Sequence, residues 1–270
     1  MPEYSQEHAV LAQFAVRLAT GAAELVAGSQ RHEMTVTVKS TPTDLVTAVD
    51  RASEQWLVDL IATERPADAV LGEEGGARPG TSGVRWLIDP IDGTVNFVLG
   101  LPQFAVSVAA ELHGQVVAGA VCNPVSGELF HARIGGGAFL GDDRLGGPRD
   151  IALARAVIGT GFGYDVARRT RQARIVARLL PHIADIRRLG SASLDLCAVA
   201  CGRLDGYFEV GLNPWDYAAG ALIATESGCV ASGLRGTTAS GRMTAVAGRS
   251  LAPHLFAMLE DLDADHVDRD

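Results

Sequence analysis

The chain has 270 residues, of which 47% are hydrophobic and 20% charged, with 31 glycines. That composition excludes disordered, collagen-like and coiled-coil classes and allows one large domain or two fused halves. The net charge of −9 argues against a nucleic-acid backbone as the main partner, but leaves phosphate substrates open, because bound cations invert the local sign.

Val10, Leu11, Phe14, Leu18, Ala22 and Leu25 recur at helical spacing and predict an amphipathic helix over 6–28. Residues 29–43 are polar and β-branched and read as a loop or hairpin. A second helix follows to about Thr63, with Asp44 as a capping residue or an acid that reaches a metal through water. Asp50 reads either as an acid on a solvated face or as one that reaches a metal through water. Ala69–Gly72 is a short apolar strand ending in Glu73-Glu74-Gly-Gly, and a loop spans 77–84. Trp86-Leu-Ile88 is a buried strand that stops at Asp89, since Pro90 cannot donate to a ladder. Asp92-Gly93 signals a turn, and Thr94 opens a short helix.

Residues 103–140 alternate as an antiparallel meander, in which the glycines 135–137 form a turn, since no Lys-Ser/Thr and no helix follow. The turn-rich stretch 141–155 divides residues 1–150 from 151–270, two halves expected to pack as one compact unit. Beyond it come a strand at 156–160, a helix at 166–180 and a strand at 183–187. Gly190-Ser191-Ala192-Ser193 opens a helix, and 206–209 is a strand. Ser191 reads as an N-cap, and the same exposed amides could instead hold a substrate hydroxyl. Pro214 fits a first helical position, which makes Asp216 a first-turn carboxylate, favoured there by the helix dipole or aimed into a cleft facing Asp89 and Asp92. A strand at 243–247, a helix at 250–260 and an acidic tail complete the chain.

The chemistry converges on strand-end acids. Carboxylates three residues apart at the end of a buried strand are costly without a positive partner, and a hard divalent cation prefers oxygen ligands. If the strands ending at Gly72 and Asp89 are neighbours, Glu73 emerges at the same edge. Beside that cage, Gly93 leaves the amides after Asp92 open to an anion. The four cysteines form no Cys-x-x-Cys pair and the seven histidines show no ligand spacing, which leaves buried thiols and no zinc site. No apolar run approaches the roughly 20 residues that span a bilayer, and the N-terminus lacks a signal-peptide layout, so a cytoplasmic protein without a membrane partner is expected.

Gly72-Glu73-Glu74, Asp89-Pro-Ile-Asp-Gly-Thr94 and Trp215-Asp216-Tyr-Ala-Ala-Gly220 resemble the signature segments of the inositol monophosphatase family. The segments 39–50 and Gly190-Ser-Ala resemble two more, in order and at fitting spacings from about residue 36 to 230. The resemblance implies an α/β (α+β) fold layered as an αβαβα sandwich, a homodimer, and Mg²⁺-dependent hydrolysis of phosphomonoesters. Two to three Mg²⁺ per site are implied, with Mn²⁺ as a substitute. Glu73, Asp89 and the Ile91 carbonyl would hold the first, Asp89, Asp92 and Asp216 the second, and Glu73 with Asp50 nearby a weaker third. Thr94 paired with Asp50 would orient the attacking water, with Glu73 counted among the catalytic groups. The amides of Gly93 and Thr94 would take phosphate oxygens, while Ser191, Ala192, Glu209 and Asp216 would face the alcohol. Val95 and Leu99-Gly100 depart from the pattern, where relatives often carry a second Thr or Ser and a His. Both weaken any statement about substrate.

No Cys or Ser nucleophile beside a base is evident, which points to direct in-line attack of metal-activated water without a phospho-enzyme. Inositol 1-phosphate is the first expected substrate, with histidinol phosphate, 3′-phosphoadenosine 5′-phosphate and sugar phosphates as alternatives. A different class of reading is a non-catalytic regulatory protein that binds RNA polymerase or RNA, against which stand the intact presumed ligands and the acidic charge.

Overall fold

The computed structural model describes residues 2–29, 36–38 and 45–266. Asp44 and the segment 39–44, singled out in the sequence, lie outside them. Helix α1 (Pro2–Gly28) is followed by the small antiparallel pair β1 (Val36–Val38) and β2 (Leu45–Thr47), then by α2 (Ala48–Glu64). The cap of α2 is Thr47, whose hydroxyl accepts from the amides of Val49 and Asp50 while the Asp50 carboxylate accepts from the Thr47 amide at 2.9 Å, a reciprocal box.

Next come β3 (Ala69–Gly72), β4 (Ala77–Arg78), β5 (Val84–Asp92), α3 (Thr94–Leu99), β6 (Ala105–Leu112), β7 (Gln115–Cys122), β8 (Leu129–Arg133), β9 (Gly137–Leu140) and β10 (Asp143–Arg144). These strands form one eight-stranded sheet in the order β10-β9-β8-β7-β6-β5-β3-β4. The second half supplies β11 (Val157–Thr160), α4 (Val166–Leu179), β12 (Asp185–Arg187), α5 (Ala192–Ala200), β13 (Gly206–Glu209), α6 (Pro214–Glu226), β14 (Val230–Ser232), β15 (Thr244–Ala247) and α7 (Ala252–Asp261). Its strands make a five-stranded sheet, β12-β11-β13-β15-β14.

Three apolar clusters define the layers. Leu11, Phe14 and Leu18 of α1 and Leu57 and Ile61 of α2 pack on Trp86, Ile88, Val106 and Val108, covering one face of the large sheet. Leu87, Ala109 and Val121 on the opposite face meet Leu196 and Val199 of α5, Ala219 and Ile223 of α6, and Tyr207 and Val246 of the small sheet. Ile175 and Leu179 of α4 and Leu255 and Leu259 of α7 cover the small sheet's outer face. The layering is therefore αβαβα, and the middle cluster draws on residues from both sides of the 141–155 stretch. Gln6–Gly28 of α1 is, contrary to the sequence reading, long and apolar enough to cross a bilayer, but its inward stripe is packed into the first cluster.

Four short strands were not anticipated: β2 lies in the stretch read as leading into the second helix, β4 in the stretch read as a loop, β10 in the turn-rich stretch, and β14 after α6. The last three are edge strands, each paired with a neighbour close in sequence and too short to show a period. The glycine run 135–137 is a turn, and its amides at Gly135 and Gly137 are taken by the Glu226 carboxylate at 2.8 and 2.9 Å.

The departure that matters most is in β5. The strand runs through Pro90 to Asp92, with a register shift: Asp89 lies opposite Ser107 and Asp92 opposite Ala105. Three steps on β5 thus match two on β6, a bulge that holds one extra residue and tolerates a proline. Without it, side chains three apart would point to opposite faces. With it, Asp89 and Asp92 share the face of Ser107 and Ala105, toward the middle layer, while Ile91 joins the first cluster.

Close approach of α6 to the large sheet depends on Gly119 in β7, where a Cβ would lie 2.9 Å from the Cα of Ala219. Gly119→Val should lower stability by about 1–3 kcal/mol through overpacking, measured by urea unfolding, with Gly146→Ala, where a Cβ meets open space, as the mild comparison.

Candidate functional site

The parallel pairing of β3 with β5 sets Gly72 opposite Ile88, so Glu73 and Asp89 leave the sheet at the same edge. A cavity of about 390 Å³ opens there, lined by Glu73, Asp89, Ile91, Asp92, Gly93 and Thr94 on one side and by Ser191, Ala192, Glu209 and Asp216 on the other. Every sequence-predicted site residue except Asp50 lines it. Asp50 sits behind the wall, fully buried rather than on a solvated face, and reaches the site through Thr94, whose hydroxyl lies 3.1 Å from its Oδ1 and 3.0 Å from the Ile91 carbonyl.

The carboxylates repel one another. Asp89 is buried and accepts the Ile91 amide at 3.0 Å; burial first, then the charges of Glu73, Asp92 and Asp216, hold it well above the usual carboxylate range. Asp216, third residue of α6, accepts from the Asn213 amide at 2.7 Å and is pushed well up by burial and then by Asp92. The helix-cap and cleft readings of Asp216 are both realised. Asp92 is turned to the N-terminus of α5, where it accepts from the Ser191 hydroxyl (2.7 Å), the Ser193 amide (2.7 Å), the Ser193 hydroxyl (2.5 Å) and the Ala192 amide (3.3 Å). Burial still raises it, against these donors.

Ser191 is the N-cap of α5, as expected, but its side chain is buried and its hydroxyl donates to Asp92 rather than standing open for a substrate. Gly93 has φ 96°, and a Cβ there would lie 3.0 Å from the Gly190 carbonyl, so the turn that opens α3 both needs and admits only glycine. The first-turn amides of α3 have no acceptor within the helix. Glu209, at the end of β13, accepts from the Tyr207 hydroxyl and is pushed up to about 7 by burial.

Several participants escaped sequence reading. Glu54 of α2 is buried and accepts the amides of Glu74 (2.7 Å) and Gly76 (2.8 Å), shaping the loop that carries Glu73. Ser193 anchors Asp92. Asp195 is buried in the cavity wall with its Oδ1 lacking a hydrogen-bond partner. A lone acid inside the apolar stretch Leu194–Ala200 was its available signal. Arg168, Arg169 and Arg188 also line the cavity, and no local pattern marks them.

Among the described residues no three acidic, His or Cys side chains close into a finished metal cage. The donor set nonetheless suits a hard cation: it is all oxygen, it has almost no protein counter-charge, and Asp89 and Asp216 are raised because nothing positive stands between them. A divalent ion would draw these groups together.

An αβαβα sandwich with a carboxylate-walled cavity at its strand ends, and beside it a helix start whose first amides lack acceptors within the helix, suits a metal-assisted hydrolase of phosphate esters. The profile of the inositol monophosphatase family matches residues 7–264, and the chain belongs to that family. An inositol-1-monophosphatase of Mycobacterium leprae is 47% identical over 238 residues, covering 83% of this chain and 81% of that protein. The Nus factor SuhB of Escherichia coli K12 is 41% identical, covering 82% and 84%. The solved Mycobacterium tuberculosis SuhB superposes with a TM-score of 0.81 at 41% identity, covering 96% of this chain and 98% of that one.

The raised Asp89 fixes the sign of a pH effect. Its folded-state pKa lies above its unfolded value of 3.8, so its contribution to metal-free stability is full below that value and is lost as pH rises toward the folded pKa. At pH 7, Asp89→Asn should therefore raise the melting temperature of the metal-free protein. Mg²⁺ should raise that of the wild type and do so much less for the variant. Calorimetric scans with EDTA and with Mg²⁺ check both; an Asp89→Asn protein that melts lower without metal would contradict the repulsion.

Proposed function

We propose that this chain is a Mg²⁺-dependent phosphomonoesterase acting on the phosphate of a small polyol, with inositol 1-phosphate as the substrate that fits best. The carrying observation is the wall of four carboxylates, Glu73, Asp89, Asp92 and Asp216, beside the open turn of α3. Two to three ions would be held by these four, the Ile91 carbonyl and, more remotely, Asp50, and Mn²⁺ suits the same oxygens. When bound, they supply Lewis acidity that lowers the pKa of a water and offsets charge on the attacked and leaving oxygens.

The chain's own groups do the rest. The Gly93 and Thr94 amides receive the phosphate oxygens at the helix start. Thr94, donating to Asp50, presents its lone pairs to the water and orients it. Asp50 is the sink for that proton, and its burial-raised pKa makes it a better base than an ordinary carboxylate. Thr94 on Asp50 and Ser191 on Asp92 are the cavity-wall hydroxyls that meet a carboxylate; both are buried, one given to orienting the water and the other to holding Asp92, which favours direct attack by water. Glu209 and the Ala192 edge face the alcohol.

The relatives named Nus factors keep a regulatory binding role in view. The complete carboxylate set speaks for catalysis, since a purely binding protein has no use for mutually repelling buried acids.

Phosphate release from inositol 1-phosphate, histidinol phosphate, 3′-phosphoadenosine 5′-phosphate and fructose 1,6-bisphosphate should require Mg²⁺. Asp92→Asn should reduce it by roughly 10²-fold or more, in line with the loss of a metal-centred stabilisation of several kcal/mol. No release from any ester by folded, Mg²⁺-loaded protein would sink the reading. With Glu209 near 7, ionisation should make it a better acceptor of substrate hydroxyls, so KM for inositol 1-phosphate should fall as pH rises through about 7. Glu209→Gln should flatten that profile.

A further inference from the structure

Helix α4 carries five arginines and no acid, in a chain whose net charge is −9. Its buried face is set by Gln172, Ile175 and Leu179. Gln172 is tied at both ends of its amide, accepting from the Gly163 amide at 2.9 Å and donating to the Val210 carbonyl at 3.4 Å. With that face fixed, Arg171, Arg174 and Arg178, spaced by three and four residues, fall along one flank. Arg168 and Arg169 line the acid-walled cavity, whereas these three line another.

This second cavity, of about 210 Å³, lies between that flank and the segment after α7, where Leu262, Asp263 and His266 complete its wall. It shares no lining residue with the first. The one acid among its described lining residues is already engaged: Asp263 takes Arg235 at 2.8 Å through Oδ1 and His266 at 3.3 Å through Oδ2. The nearby Asp265 is held by Arg235 and Arg242. Arg171 donates to the His266 carbonyl at 2.7 Å, which ties this wall to α4. Arg174 and Arg178 are exposed and form no ion pair among the described residues.

Two guanidinium groups four residues apart on one helix repel each other, and no carboxylate offsets that here. A phosphate with oxygens for both relieves the repulsion and matches the donor fork of each. Ile175 and Leu262, both buried, give the cavity an apolar floor. Its volume is below the roughly 300–1,000 Å³ of sites for drug-sized ligands, so the ligand it suits is small.

We propose that this second cavity binds a phosphate group, free or at the end of a small organic molecule, on Arg174 and Arg178 above the floor of Ile175 and Leu262. The inference does not rest on the phosphatase reading.

Calorimetric titration of the full chain with inorganic phosphate, AMP and adenosine tests it, without divalent ions and again with Mg²⁺. Without divalent ions the carboxylates of the first cavity repel anions, so a phosphate site read then lies elsewhere. Phosphate or AMP should bind in both conditions with a Kd of about 1 mM or tighter. Arg174→Gln/Arg178→Gln should weaken that binding by about tenfold or more, the scale of a lost charge-assisted contact. Its melting temperature should stay within about 2 °C of wild type, since both side chains are exposed. Arg174→Lys/Arg178→Lys keeps the charge and should keep most of the affinity, and Arg168→Gln/Arg169→Gln should leave it unchanged. Phosphate binding at least as tightly as AMP supports free phosphate as the ligand; tighter AMP supports an organic phosphate resting on the apolar floor. Adenosine binding as well as AMP, a site that appears only with Mg²⁺, or affinity that survives the double Gln substitution would overturn the proposal.

Discussion

Mutual repulsion among buried carboxylates is the constraint on which this structure depends. Asp89 and Asp216 come from opposite halves of the chain, and each is held above its ordinary range by burial and by the other acids around it. A fold tolerates such an arrangement only if the backbone fixes it, because free side chains would turn away toward water. The fixing element is the bulge in β5, which brings Asp89 and Asp92 to one face and sends the intervening Ile91 into the first apolar cluster. Pro90 fits at that point because a bulged residue has no ladder bond to lose.

The second fixing element crosses the layers. Asp92 belongs to the large sheet, but its carboxylate gathers four donors from the start of α5, a helix whose body is packed in the middle cluster. Helix-end amides and dipole favour the ionised acid there and work against the burial that raises Asp92, so this one residue joins the halves while its charge is partly compensated. The close approach of Gly93 to the Gly190 carbonyl lies beside it, so the turn that opens α3 and the α5 cap are set against each other. A change in α5 packing would therefore be felt at the acid cluster, although only the side chains of the cap Ser191 and of Ser193 bond to Asp92.

What the sequence disclosed follows from how local each signal is. Glu73, Asp89, Asp92 and Asp216 each sit in a short segment whose apolar run, glycine or proline says where the element ends, and these acids do gather at one cavity. Pro90 carried a local signal that misled: it marks a strand end by propensity, whereas pairing with β6 carries the strand past it. The edge strands β4, β10 and β14 were illegible because two or three residues hold no periodicity. Ser191 showed its capping role, but not that its hydroxyl belongs to an aspartate 99 positions away. Glu54, Ser193 and Asp195 act through partners that only the tertiary fold supplies. The arginines of α4 are, in sequence, the solvated face of a basic helix.

Six carboxylates and three arginines line the cavity: Glu73, Asp89, Asp92 and Glu209 at strand ends, Asp195 and Asp216 on α5 and α6, and the arginines at the start of α4 and after β12. Bound cations would reverse the local sign at Asp89 and Asp92, while Asp195 and Glu209 already have Arg188 near them. Arg168 and Arg169 are exposed to water, so their attraction for an anion is screened and each contributes modestly. Asp89 and Asp92 are buried, and a charge set beside them acts through a lower dielectric, where the same contact is worth more. What each charge in this cavity can do is thus set by how deeply the fold buries it rather than by its sign or number.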